Sequence, residues 1–411
     1  MAPTGIRESS ATRLASCNVR GEITYDRQLV PLADGGIVRE ASLAELIPAP
    51  AGTIEMMLPQ RSPLTSIGPI ATRTAVAAVL PSGYTRLLLP AYVTERHSPG
   101  LPLFGYTFAC ALDDRLHVAA MRTDESDDWQ PRAFGQGELE NLIARRLDRD
   151  PENRVLHQVA RCSLEYGCFT AQNVFLQRGE AALPVSPKCN ARCIGCISEQ
   201  EPGAGAPSPQ ERIADEVTVR DLACLAIAHL ERVVDGIVSF GQGCEGEPLL
   251  RSVTIARAIG AIRKKRTNGT INLNSNGSRP AALVRCIDAG LDAVRISLNS
   301  FRPRIYAAYY RPQGYTLEDV FASIRLAISR GLRVSLNLLT HPGVTDDEEE
   351  LAACEAFLRD SHIAMVQTRT LNIDPGVYFA AVGRPRNPLG MRRAIERIGK
   401  LAKVGNFTHT H

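Results

Sequence analysis

The sequence predicts an α/β fold with parallel strands, preceded by a mixed, β-rich region. From about residue 183, short apolar runs alternate with amphipathic helical segments until six strands have passed in about 190 residues, which is the pattern of successive βα units. Upstream of that point the alternation is absent, and short β-like runs are punctuated by proline and glycine.

Each element has its own signal. Leu183–Ser186 reads as a first strand leading into a cysteine-bearing loop, and a Gly/Ala/Pro-rich linker spans 202–209. Thr218-x-x-Asp221 is a helix-start box ahead of Leu222, Leu225 and Leu230. Gly236–Phe240 is a β run ending in glycines, and Ile255, Ala258, Ile259 and Ile262 mark the next helix. Thr270–Asn274 is strand-like; Leu283 and Ile287 share a helical face that stops at Gly290. Ala293–Leu298 is a strand, and Thr316-x-x-Asp319 opens a helix ending at Gly331. Leu332–Leu339 is a strand, Thr345-x-x-Glu348 opens another helix, and Ile363–Gln367 is the last strand. Before the barrel-like half, β runs fall at 29–32, 52–58, 75–80 and 86–90. Residues 105–112 and 115–121 flank Asp113-Asp114 as a hairpin. Helices are expected over 137–147 and 151–164. The domains expected are therefore 1–180, mixed and β-rich; 181–375, the parallel α/β unit; and 376–411, a helical tail centred on Met391–Ile398.

The chain has 411 residues, 44% hydrophobic and 22% charged, with a formal net charge of +3. That balance offers no whole-chain attraction to nucleic acid or an anionic membrane. No apolar run reaches the ~20 residues of a membrane span. The opening MAPTGIRESS carries no signal-peptide pattern, so the cytoplasm is the expected compartment. Eleven cysteines cannot all pair within one chain, and in a reducing cytosol disulfides are disfavoured.

Three of the cysteines fall within eight residues, Cys189-Asn-Ala-Arg-Cys193-Ile-Gly-Cys196. Thiolates at this spacing on a loop loosened by Ala191 and Gly195 can converge on one inorganic centre. Buried inert thiols are the plain alternative, but Lys188, Asn190 and Arg192 make a poor core segment. Structural zinc usually takes four ligands in paired spacing, and no second pair lies nearby. A 4Fe–4S cluster is held by thiolates, and three of them leave one iron open to activate a small molecule.

CxxxCxxC resembles the cluster loop of the radical S-adenosylmethionine (SAM) enzymes. The resemblance extends through Glu245-Gly246-Glu247-Pro248 after the second strand, similar to that family's Gly-Gly-Glu-Pro, with Glu245 in place of the first glycine. Ser275-Asn276-Gly277 and Ser297-Leu298-Asn299, after the third and fourth strands, resemble its Thr-Asn-Gly and Ser-Leu-Asp. It covers roughly residues 183–375 and implies a partial (β/α)6 barrel, open on one side. It also implies Cys189, Cys193 and Cys196 as ligands of a 4Fe–4S cluster whose fourth iron chelates SAM. Gly246 and Glu247 would orient the methionine end; Ser275, Asn276, Ser297 and Asn299 would contact the cofactor, with Asn337 a further candidate. Each is alternatively a turn or cap residue.

The implied reaction is reductive cleavage of SAM to a 5′-deoxyadenosyl radical that abstracts hydrogen from a small molecule or peptide. An electron donor such as flavodoxin or ferredoxin would be a partner. Two other readings stand beside it: an RNA-modifying enzyme of the same chemistry, and a zinc-binding scaffold. No cobalamin signature and no cysteine-rich C-terminal extension is present. Cys162, Cys168 and Cys244 are either a second metal site or buried thiols. Cys17, Cys110, Cys224, Cys286 and Cys354 read as core. His341 reads as an exposed loop residue or a rim residue facing substrate.

Overall fold

The computed structural model describes residues 12–406 apart from 27, 125–135 and 204–205; the first eleven residues and two of the 202–209 linker therefore lie outside the described residues. Seven strands form one parallel sheet: β1 (Glu180–Leu183), β2 (Ile237–Phe240), β3 (Thr270–Ser275), β4 (Ala293–Leu298), β5 (Arg333–Thr340), β6 (Met365–Thr370) and β7 (Lys403–Gly405), in sequential order. Helices α1 (Val219–Arg232), α2 (Ser252–Lys265), α3 (Pro280–Asp288), α4 (Pro303–Tyr310), α5 (Leu317–Ser329), α6 (Glu348–Arg359), α7 (Pro375–Val382) and α8 (Met391–Gly399) connect or flank them. Sequential parallel order, with the crossover segments filled by helices, is the arrangement of consecutive βα units.

β5 shows how the sheet divides inside from outside. Val334, Leu336, Leu338 and Thr340 are buried, while Arg333, Ser335, Asn337 and Leu339 are half-buried. Period-two alternation gives each strand one face toward the helices and one toward the barrel interior. That interior is polar at its floor. Ser239 bonds Glu180, Asn272 Nδ2 donates to Ser239 Oγ at 3.0 Å, and Arg295 bridges Asn274 (2.9 Å) and Glu180 (3.4 Å).

Several elements differ from the sequence expectation. The first strand ends at Leu183, because Pro184 has no N–H for a ladder. The Thr218 box caps α1 as expected, but α6 begins after Asp347; the Thr345 hydroxyl instead accepts from His341 N–H at 2.9 Å. Helix α4, helix α7, strand β7 and a helix over Phe169–Leu176 carried no recognised signal. Cys224 is exposed on α1 rather than packed in the core, whereas Cys17, Cys110, Cys286 and Cys354 are buried.

Upstream lie antiparallel sheets, the largest of eight strands, followed by helices over Gln136–Arg149 and Arg154–Leu164. The expected hairpin is present: Ala109–Leu112 pairs with Arg115–Arg122 around Asp113 and Asp114, whose φ values are 50° and 56°. This region packs against β6 and β7. Thr85 and Thr368 share a hydrogen bond at 2.8 Å, Gly83 N–H donates to Asn406 Oδ1 at 3.2 Å, and Arg86 Nη2 donates to Leu371 O at 2.9 Å. Gly36 and Gly343, both at positive φ, let two turns touch: a Cβ on Gly343 would stand 2.7 Å from Gly36 Cα. No helix among the described residues is long and apolar enough to cross a membrane.

One polar tie between the two regions is deeply buried. Arg61 reaches Asp374 at 3.3 Å, and the Asp374 carboxylate also accepts from Leu101 N–H and Gly376 N–H, both at 2.8 Å. Removing one partner of such a pair costs about 3–5 kcal/mol, because the other charge stays buried and unpaired. Arg61→Met should therefore lower the urea midpoint sharply, and Arg61→Met/Asp374→Asn should recover part of the loss. Equal destabilisation by the single and double variants would contradict this.

Candidate functional site

The three clustered cysteines sit on the loop that follows β1, at the C-terminal rim of the sheet, and are partly buried. Four neighbours hold that loop. The first is the Glu245–Glu247 turn after β2. The buried Glu245 carboxylate accepts four backbone N–H bonds: Val185 (2.8 Å), Ser186 (2.9 Å), Gly241 (2.7 Å) and Gln242 (2.7 Å). It thereby joins the ends of β1 and β2. Burial pushes its pKa up, to about 7, against the pull of those donors. Next, Gly246 N–H donates to Ser186 O at 2.7 Å and Glu247 N–H to Lys188 O at 2.9 Å. The approach is so close that a Cβ on Gly246 would lie 2.1 Å from the Lys188 carbonyl oxygen.

The second neighbour is the end of α4. Its terminal carbonyls lack helical partners, and two of them accept from the cysteine loop: Tyr310 O from Arg192 N–H and Tyr309 O from Ile194 N–H, both at 3.0 Å. Gln313 N–H then donates to Asn190 O at 2.8 Å. The third is the Ser275–Ser278 turn. Asn276 Nδ2 donates to Asn190 Oδ1 at 3.0 Å, and Asn190 Nδ2 to Ser278 Oγ at 2.9 Å. The fourth is Arg212, whose guanidinium lies 3.7 Å from Cys196 Sγ and pairs with Glu199 at 2.6 Å. Asn190, Tyr309, Tyr310 and Arg212 were not singled out from sequence. The tyrosine pairing 309–310 behind Pro303 was the available signal for α4, since proline favours the first helical turn.

The predicted residues divide by what their side chains do. Glu247 is buried; it accepts from Ser275 Oγ (2.6 Å), Asn276 N–H (2.8 Å) and Leu249 N–H (2.9 Å). Its carboxylate thus braces the neighbouring turn, and Ser275 and Asn276 take part in the same brace. Ser297 is half-buried on the rung Ser297–Asn337–Gln367 of β4, β5 and β6. Asn299 donates to Tyr378 Oη at 3.1 Å, while its Oδ1 is buried without a partner, as is Asn337 Oδ1. Unpartnered buried acceptors are costly unless a ligand or water completes them. His341 is fully buried, correcting the exposed-loop expectation: Nδ1 lies 2.8 Å from Pro342 O and the ring packs on Tyr378 and Phe379.

The thiols fit a thiolate-bound group. Burial foremost raises the pKa of Cys189, to about 11, and of Cys193; the Glu247 carboxylate and then Cys196 add to the rise at Cys189, and the other two cysteines add to it at Cys193. Bare thiolates are therefore disfavoured here, and cationic iron would compensate them. Among the described residues no three His, Cys, Asp or Glu side chains converge closely enough for a single ion; a four-iron cube sets its thiolate ligands farther apart than one zinc does. Cys162 and Cys244 are buried in the core cluster and Cys168 lies at its edge. A cavity of about 220 Å³ opens beside Cys193, with Arg192 and Ile194 on one wall, Ile373 and Val377 on another, and Leu101 and Leu103 of the upstream region closing it.

The Gly246 contact makes a direct prediction. Gly246→Ala should displace the Lys188–Cys189 backbone, and Cys189, Cys193 and Cys196 should react with a thiol reagent faster than in the native apoprotein. An unchanged reaction rate would show that the loop does not depend on this approach.

Residues 183–354 match the family model described as the Radical SAM superfamily. Among curated proteins, the chain is 30% identical over 187 residues to Molybdenum cofactor biosynthesis protein 1 of Mus musculus, covering 44% of this chain and 27% of that protein. It is 26% identical over 254 residues to the FeMo cofactor biosynthesis protein NifB of Klebsiella pneumoniae, covering 56% of this chain and 51% of that protein. The chain thus spans from about a quarter to about half of these relatives. The solved structure of methylornithine synthase (PylB) aligns at TM-score 0.39 and 13% identity, over 66% of this chain and 74% of that one. Enzymes of the matched family use a 4Fe–4S cluster and SAM. Residues 183–354, with the cysteine loop on the rim of a parallel α/β sheet, carry the radical SAM domain of this chain.

Proposed function

We propose that the chain is a radical SAM enzyme that cleaves SAM reductively and abstracts a hydrogen atom from a small-molecule or peptide substrate. The observation that carries this is the seating of the cysteine loop directly on the Gly246–Glu247 backbone, which joins two sequence motifs about fifty residues apart into one site. When bound, the cluster and SAM supply the electron and the radical. The chain's own residues hold and orient. Cys189, Cys193 and Cys196 are the ligands. Gly246 brings its peptide against the loop, and its backbone would be available to orient the methionine end of SAM. The Glu247 carboxylate fixes Ser275 and Asn276, and Asn276, with Ser278, orders Asn190 on the cysteine loop. Asn299 Oδ1 and Asn337 Oδ1 are buried, unpartnered acceptors at the rim, suited to ribose hydroxyls or an ammonium, and Ser297 shares a rung with Asn337. The arginine at 212 offsets thiolate charge at Cys196.

In this reading the upstream region, to about residue 180, closes the cavity beside Cys193 and selects the substrate, the barrel spans 181–375, and the tail covers 376–411. A flavodoxin- or ferredoxin-type protein supplies electrons.

Anaerobically reconstituted protein should bind about four irons per chain and release 5′-deoxyadenosine from SAM with dithionite. The Cys189→Ala/Cys193→Ala/Cys196→Ala variant should lose both. A fully loaded wild-type protein that leaves SAM intact would overturn the enzymatic reading, and zinc in place of iron and sulfide would favour a scaffold.

A further inference from the structure

We propose that an open groove between α8 and the Arg39–Glu45 segment binds a small anion carrying at least two negative charges, of the pyrophosphate or polyphosphate type. Charge is segregated along the chain. Residues 376–411 hold seven Lys or Arg against a single Glu, an excess larger than the +3 of the whole chain. The remainder is therefore net acidic, and the near-neutral total conceals a basic surface.

The groove has a volume of about 800 Å³ and is lined by α8 on one side and by Arg39 and Glu45 on the other. Two of its cations are already matched: Arg39 pairs with Glu45 at 2.6 Å, and Arg397 with Glu355 at 2.5 Å. Arg392, Arg393 and Lys400 then face Glu396, with Arg392 also near the already paired Glu45. Arg393 and Lys400 are exposed and make no ion pair with a described carboxylate. Arg392 donates one bond, to Ala44 O at 2.9 Å, and its Nε is buried without a partner. Arg393 and Lys400 are two turns apart on one face, about 10 Å along the axis. The α8 N-terminus at Gly390 lines the same groove; Asp346 accepts from the Gly390 N–H, and the first-turn N–H groups beyond it point the helix dipole toward the groove.

A single carboxylate cannot span these donors. A diphosphate can, and guanidinium forks match its oxygens. The concave wall between two elements favours a small ligand over a flat protein surface.

The test uses the full-length protein and calorimetric titration with inorganic pyrophosphate and with tripolyphosphate at low ionic strength. The proposal expects saturable binding of one ligand per chain. Arg393→Ala/Lys400→Ala, two exposed positions, should weaken it by about tenfold or more through loss of two charge-assisted contacts, with an unchanged unfolding midpoint in the absence of ligand. Absence of binding, or equal binding by the double variant, would overturn it. So would binding of a short single-stranded RNA through these two residues when pyrophosphate fails to bind, since the groove would then serve a polymer backbone.

Discussion

The position of the three thiols depends on one contact, the backbone of Gly246 and Glu247 against that of Ser186 and Lys188. The cysteine loop has no regular secondary structure, and ordering each of its residues costs roughly 1–2 kcal/mol of backbone entropy. The sheet beneath cannot meet that cost, since β1 ends at Leu183. What meets it is a ring of backbone and buried polar contacts: the Glu245 carboxylate at the start of the loop, the Gly246 turn in its middle, the α4 carbonyls beyond, and the Asn190–Asn276 bridge on the inner side. A side chain at 246 would break the middle of that ring. The chemistry of the site is thus set by a position that has no side chain.

The two carboxylates of the motif face the protein. Glu245, standing where the family has glycine, ties β1 to β2, and Glu247 ties the β2 turn to the β3 turn. Three successive rim loops are linked in this way, and both carboxylates are engaged in the linkage. The unpartnered buried atoms near the rim include the amide oxygens of Asn299 and Asn337 beside the Tyr310 hydroxyl and His341 Nε2. In the proposed site, neutral acceptors would take hydroxyl or ammonium donors without adding negative charge beside three thiolates, where a further carboxylate would make reduction of a bound cluster harder.

The parallel half of the fold was legible because its signals are local. Capping boxes at Thr218 and Thr316, alternating apolar runs and glycine stops mark βα units within a dozen residues of one another. The errors arose where a local signal was recruited elsewhere. Val185 and Ser186 look like strand residues, yet their N–H groups go to Glu245, sixty residues downstream. Thr345 looks like a cap, yet its hydroxyl serves His341. Strand β7 is three residues long and exists only because β6 offers an edge. The motif residues were legible as a set, but not their division into braces and unpartnered acceptors, because that depends on which loops meet. Arg212, Tyr309 and Tyr310 reach the cysteines only through the fold.

The upstream region was the least legible part, and its contacts explain why. Thr85 meets Thr368, and Arg61 meets Asp374, across 283 and 313 residues of chain. No periodicity within either segment encodes such a pairing. The consequence is functional. β6 would be an exposed edge of the barrel at its C-terminal end, and open edges recruit other chains. Here β7 pairs with it and the upstream sheet covers it, through Gly83, Thr85 and Arg86. The same packing carries Leu101 and Leu103 to the cavity beside Cys193. Closing the barrel and walling the cavity are therefore one structural act, and a change in the upstream sheet that altered the closure would also alter what can approach the cysteine loop.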